Sequence, residues 1–150
     1  MTMEDPTQPS KPSGQHDPLD GLHTLVVEDN ALNEATIAVM LDHHKVHCQF
    51  VRTGFGVVQA ALDMGRVDVI LLDIGLPHHD GYEVLKDIRA EPRLAGVKVI
   101  AVTARDPRIE MERTRAAGFD GYISKPLRHN QLPDQLRRIA RGEAVWDDGV

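Results

Sequence analysis

The sequence predicts an α/β protein built on a parallel, doubly wound sheet. Three observations lead there. Short β-branched runs alternate with helical stretches five times between residues 24 and 141. The first, third and fourth runs are nearly continuous in apolar residues, as strands covered on both faces are. And 150 residues suit one domain plus tails, with no internal repeat or second domain in view.

The first run covers residues 24–27 and leads through Glu28, Asp29 and Asn30 into a helix reaching about residue 44. Asp29-Asn30 is good N-cap chemistry for that helix. The second run, 46–51, alternates less cleanly, as an edge strand does, and precedes a helix over 55–64. The third, 68–72, is followed by a helix over 82–91, and the fourth, 97–102, by one over 107–117. The fifth is short, 121–123; Lys125-Pro126 and a helix over 131–141 follow it. Helix faces are one-sided: Ile37, Met40 and Leu41; Val84, Leu85 and Ile88; Leu132, Leu136 and Ile139. Strict β-α alternation implies right-handed crossovers between parallel strands. Residues 1–21 carry four prolines and little apolar surface, and read as a flexible tail. Residues 22–142 form the domain and 143–150 a C-terminal tail.

Composition narrows the function. A net charge of −6 without a long basic block speaks against a nucleic-acid partner. No apolar run has the length of a membrane span and the polar N-terminus has no secretory h-region. Cys48 is the only cysteine, so there is no internal disulfide, and a cytoplasmic setting fits.

In such a sheet ligands bind outside the carboxyl ends of the strands. The first strand delivers Glu28-Asp29 there, the third Asp73, the fourth Thr103 and the fifth Ser124-Lys125. Taken singly, each has an ordinary explanation: Asp at a strand end is usually a turn former or cap. Four such groups on one edge are harder to explain by capping. Crowded carboxylates repel unless a cation joins them, and oxygen ligands of this kind suit Mg²⁺. Cation, ammonium and hydroxyl together make a site for a group with several anionic oxygens, such as phosphoryl, and a carboxylate can itself be the nucleophile that accepts it.

The segments VVEDNALN (26–33), VILLDIGLPHHDGYEVLKDIR (69–89), VIAVTA (99–104) and AAGFDGYISKP (116–126) resemble a response-regulator receiver domain over about residues 22–142. The resemblance implies a (βα)5 flavodoxin-like fold, with five strands in the order 2-1-3-4-5. It makes Asp73 the acceptor of phosphoryl from a histidine kinase or a histidine phosphotransfer protein. Asp29 resembles the direct Mg²⁺ ligand, Glu28 an acidic neighbour acting largely through water, and the backbone carbonyl of Gly75 the third protein ligand. Thr103 resembles the hydroxyl that meets the phosphoryl group and Lys125 its pairing cation, with Pro126 the partner of a cis peptide that aims it. Tyr122 resembles the switch aromatic, rotating inward when Thr103 moves. The face of the fourth helix, fifth strand and fifth helix would read out the state to a downstream protein, and a homodimer could form through it.

Other residues carry weaker expectations. Gly75 leaves the site unguarded, whereas Arg105 is long enough to cover it in part. Arg108, Glu110, Arg113 and Arg115 read as a solvated helix face, and His78 and His79 as exposed loop histidines. His43, His44 and His47 lie at the end opposite the site, and Cys48 reads as a core residue of the second strand. Lys45 stands where a helix-ending glycine is common. The leading reading is thus a stand-alone phosphoacceptor rather than an enzyme, with self-phosphorylation from small donors and autodephosphorylation open to it. The same residues would also serve a receiver excised from a hybrid histidine kinase. A haloacid-dehalogenase-type Mg²⁺-dependent phosphatase would need a second Asp two residues after the nucleophile, where this chain has Gly75. A binding module that is never phosphorylated would be expected to lack an acidic, Thr or Lys member, and all are present.

Overall fold

The protein is seen in a computed structural model that describes residues 17–149. Strands β1 (His23–Val27), β2 (His47–Val51), β3 (Val69–Asp73), β4 (Lys98–Thr103), β5 (Gly121–Ser124) and β6 (Val145–Asp147) form one sheet in the order β2-β1-β3-β4-β5-β6. Every neighbouring pair is parallel. Helices α1 (Ala31–Asp42), α2 (Val57–Asp63), α3 (Gly81–Ala90), α4 (Pro107–Ala117) and α5 (Leu132–Ala140) connect the strands, with a 3-10 turn over Pro92–Leu94.

The two-residue period of the strands sorts the core into two layers. Leu25, Val27, Ile70 and Leu72 face one side, under Val57 and Ala61 of α2 and Val84, Leu85 and Ile88 of α3. Val26, Val69 and Leu71 face the other, under Ile37 and Leu41 of α1 and Leu132, Leu136 and Ile139 of α5. All five residues of β3 are buried, so the central strand is fixed on both faces. β2, partly exposed along its length, is the edge strand its sequence suggests. Helix starts follow their caps: Asn30 accepts from the Leu32 and Asn33 amides, Asp80 from Tyr82, and Asp106 from Arg108 ahead of Pro107. Lys45 does occupy the left-handed region, at φ 61°, the conformation that favours glycine after a helix.

Three features depart from the sequence reading. The sheet has a sixth strand where only a C-terminal tail is expected. Gly142, at φ 88°, turns the chain back after α5, and β6 then pairs with the outer edge of β5. Its alternation splits across the sheet, with Val145 buried in the α1/α5 layer and Trp146 against the other. Gly121 permits this pairing, because a Cβ there would stand 2.7 Å from the Val145 carbonyl oxygen. Second, residues 17–21 of the expected flexible tail form a turn; Leu19 is fully buried and Asp17 pairs with Arg137 of α5 at 3.0 Å. Residues 1–16 of that tail lie outside the described residues. Third, α2 begins two residues later than expected, because Gly56 adopts φ 81°, and Phe55 is left exposed.

Candidate functional site

The strand ends meet as the sequence predicts. Asp73 closes β3 and is nearly buried; its Oδ1 accepts the Gly75 amide at 2.8 Å. Glu28, directly after β1, is 2% exposed, whereas Asp29 beside it is exposed. One oxygen from each of Glu28, Asp29 and Asp73 lies within 4.8 Å of the others. Lys125 follows β5 and reaches in: its Nζ donates to Glu28 Oε2 at 2.7 Å and to Asp73 Oδ2 at 2.9 Å. The Lys125–Pro126 peptide is cis, and the Lys125 amide donates to the Thr103 carbonyl at 2.8 Å. The first strand, third strand and fifth strand thereby converge on one ammonium.

Burial lifts the Asp73 carboxyl above its ordinary range, against the opposing pull of Lys125 and the Gly75 amide, and the charge on Glu28 adds to the rise. Burial acts on Glu28 as well, but the Lys125 ammonium and the Asn33 amide, which donates at 3.0 Å, outweigh it and hold that carboxyl below its ordinary range. Burial depresses Lys125, yet its two carboxylate partners win and raise it. Glu28 is therefore the firmly ionised member. Asp73 shares the same cation, and a further positive charge beside it would favour its ionised form.

Three carboxylates set against one lysine leave two formal negative charges uncompensated. That donor set fits a small divalent cation held by oxygen ligands, with Asp29 the accessible member. Both oxygens of Glu28 are already engaged, one by Lys125 and the other by Asn33, which favours contact with a cation through water. Among the described residues, this is the cluster of acidic or imidazole groups close enough to hold a metal.

Thr103 ends β4 almost fully buried, and its Oγ1 accepts the Arg105 amide at 3.0 Å. Tyr122 lies inward and fully buried, its hydroxyl donating to the Arg105 carbonyl at 3.4 Å. Arg105 does not reach over the site as its length suggests. Its guanidinium is turned toward α4, 3.4 Å from Glu110.

Glu110 is the residue that sequence reasoning misplaced. It is 6% exposed rather than solvated, and accepts from the Tyr82 hydroxyl of α3 at 2.7 Å. Arg113 lies 3.7 Å from the same carboxylate and 4.4 Å over the Tyr82 ring. Arg115 lies 4.5 Å over the Trp146 ring of β6. Of the four charged residues assigned to the helix surface, Arg108, Arg113 and Arg115 do lie exposed there, Arg108 paired with Asp106 at 2.8 Å. No period or motif marks Glu110; only the tertiary approach of Tyr82 does.

The histidines split. His78 is exposed at φ 64°, but His79 is half-buried, packed on Gly54 and 4.5 Å from the Phe55 ring. His47 stacks on His23 at 4.5 Å, far in the fold from Asp73, and His43 meets His44 edge-on. Cys48 is partly buried, and burial pushes its thiol up to about 12.

The family described as the response regulator receiver domain matches residues 24–137. The polar-differentiation response regulator DivK of Brucella ovis is 38% identical over 106 residues, 69% of this chain and 83% of that protein. The signal transduction histidine-protein kinase BarA of Escherichia coli is 31% identical over 121 residues, 81% of this chain; the chain spans 13% of that protein's length. Among solved structures, the receiver domain of the sensor histidine kinase PA1611 from Pseudomonas aeruginosa, with magnesium coordinated in its active-site cleft, is 32% identical. It superposes with a TM-score of 0.71, covering 82% of this chain and 99% of that one.

Proposed function

The chain belongs to the response regulator receiver family, and from that premise we propose that Asp73 is its phosphoacceptor. The observation that carries the proposal is the convergence of Asp73, Glu28 and Lys125, at 2.9 and 2.7 Å, beside an accessible Asp29 on the carboxyl edge of the sheet. The donor is a phosphohistidine on a histidine kinase or a histidine phosphotransfer protein, and the signal passes on by contact with a downstream protein.

In the transfer, a carboxylate oxygen of Asp73 attacks phosphorus. The P–O bond forms as the P–N bond breaks, and the electron pair stays on the departing imidazole. Lys125 would follow one phosphoryl oxygen as charge moves off the Asp73 carboxylate. Thr103 would exchange the Arg105 amide for a donated hydrogen bond to another. Asp29 and Asp73 would hold Mg²⁺ directly, together with the Gly75 carbonyl, with Glu28 acting through water. When bound, that ion supplies positive charge to the phosphoryl oxygens. Lys125 also borders a cavity of about 360 Å³, lined by Asn33, Thr36, Ile37, Ala104, Pro126 and Leu127.

Gly75 stands where a dehalogenase-type phosphatase would need its acid/base, so phosphoryl acceptance rather than phosphatase turnover suits the residues present. Two of the similar proteins are histidine kinases, which supports a second reading: the chain corresponds to the receiver of such a kinase. Intact-mass spectrometry after incubation with Mg²⁺ and acetyl phosphate tests the proposal. One hydroxylamine-labile phosphoryl adduct is expected on the wild type and none on Asp73→Asn. A wild type that binds Mg²⁺ but is phosphorylated neither by acetyl phosphate nor by a phosphohistidine donor would sink it.

A further inference from the structure

β6 runs along the outer edge of β5 with Tyr122 opposite Trp146 and Ile123 opposite Asp147. Three elements hold it. The Arg115 guanidinium of α4 lies 4.5 Å over the Trp146 ring, the Gln135 amide of α5 donates to the Asp147 carboxylate, and Arg128, in the loop after Lys125–Pro126, donates to the Gly149 carbonyl at 3.1 Å. Gly149 closes on Ser124 so tightly that a Cβ there would meet the Ser124 Cβ at 3.1 Å. Residues 145–149 therefore lie across α4, β5 and α5 together. They hold the face by specific contacts but bury little: Val145 is buried, Trp146 and Asp147 are only half-buried, and Glu143, Ala144 and Asp148 are exposed. A short strand with so few buried apolar contacts belongs to the part of a fold that opens most readily.

We infer that the α4–β5–α5 face is a strand-accepting interaction surface, that residues 145–149 occupy it in cis, and that they yield it when Asp73 is phosphorylated. The last step rests on the phosphoacceptor reading above. Arg105 is the physical link. Its amide is held by Thr103, its carbonyl by the Tyr122 hydroxyl and its guanidinium by Glu110 of α4. When Thr103 turns to a phosphoryl oxygen, the Arg105 backbone loses its acceptor. The change then reaches Tyr122 and α4, the two supports of Trp146. The partner that fits the vacated edge is an extended segment parallel to β5, with an aromatic residue for Arg115 followed by an acidic one for Gln135.

Trp146 is the only tryptophan, so its emission reports the strand directly. The full chain is incubated with Mg²⁺ and acetyl phosphate, and one sample is divided among intact mass, Trp146 emission and hydrogen exchange of a peptide spanning 143–149. With the adduct present, emission is expected to shift to the red and exchange at 145–147 to quicken about tenfold or more; Asp73→Asn shows neither. Arg115→Ala, an exposed position, is expected to give the red shift without phosphorylation. An adduct with unchanged emission and unchanged exchange overturns the inference while leaving the phosphoacceptor reading intact. Absence of any adduct, from acetyl phosphate or a phosphohistidine donor, removes the reading and the inference with it.

Discussion

The Tyr82 hydroxyl donates to the Glu110 carboxylate at 2.7 Å, joining the first turn of α3 to the first turn of α4. Burial, with the carboxylate beside it, raises the Tyr82 phenol well above its ordinary value, so it remains a donor at any physiological pH. The same carboxylate holds Arg105, which makes Glu110 the point where the loop after β4 is tied to two helices.

Tyr82→Phe keeps the ring under Arg113 but removes the donor. A hydrogen bond to a buried charged acceptor contributes about 1.5–3 kcal/mol. The variant should therefore lose about that much, read as a lower urea midpoint at unchanged slope. A midpoint within error of the wild type would show the contact to be energetically idle.

Gly81→Ala tests how tightly the loop after β3 is seated. A Cβ on Gly81 would lie 2.6 Å from the Ile74 Cα, a backbone atom that cannot rotate away. Overpacking of this kind costs about 1–3 kcal/mol. Because Ile74 is flanked by Asp73 and Gly75, Mg²⁺ affinity should weaken together with thermal stability.

Lys125→Met removes the ammonium shared by Glu28 and Asp73. Two buried carboxylates then face each other without their cation, and breaking such a pair costs about 3–5 kcal/mol. The loss should appear at neutral pH in the absence of divalent cations. Added Mg²⁺ should restore part of it, giving a larger rise in melting temperature than in the wild type.

Asp17 tests the N-terminal turn. Its bond to Arg137 holds its carboxyl down at about 2, below the ordinary 3.8. A depressed carboxyl stabilises the fold above its unfolded value and loses that contribution as pH falls through its folded one. Asp17→Asn should therefore flatten the loss of stability between about pH 4 and pH 2. Since the side chain is a third exposed, the effect at neutral pH should stay under about 1 kcal/mol.

The fold and most of the site are legible in the sequence because both rest on position along strands. Asp73 is the carboxylate that ends a continuously apolar run, and Lys125 stands where the fifth run stops; parallel pairing then brings such ends together whatever else happens. What escapes depends on contacts between distant segments. Val145 to Asp147 is too short to show a period, and Trp146 in a terminal stretch gives no sign of which edge it will join. Glu110, among arginines on an otherwise polar helix, looks solvated until Tyr82 is placed against it. Leu19 follows Pro18 in a polar stretch, and one buried leucine is no pattern.

With β6 in place, one margin of the sheet ends in three residues, with an acidic residue, Asp147, at the last pairing position and Gly149 folded back on Ser124. A margin so brief offers little template for another chain to stack against, and charge near an open ladder discourages edge-to-edge growth. The same segment that covers a binding face thus also acts as a guard against aggregation. A preparation lacking residues 145–149 would bare the longer ladder of β5, and should be the first to cloud on concentration.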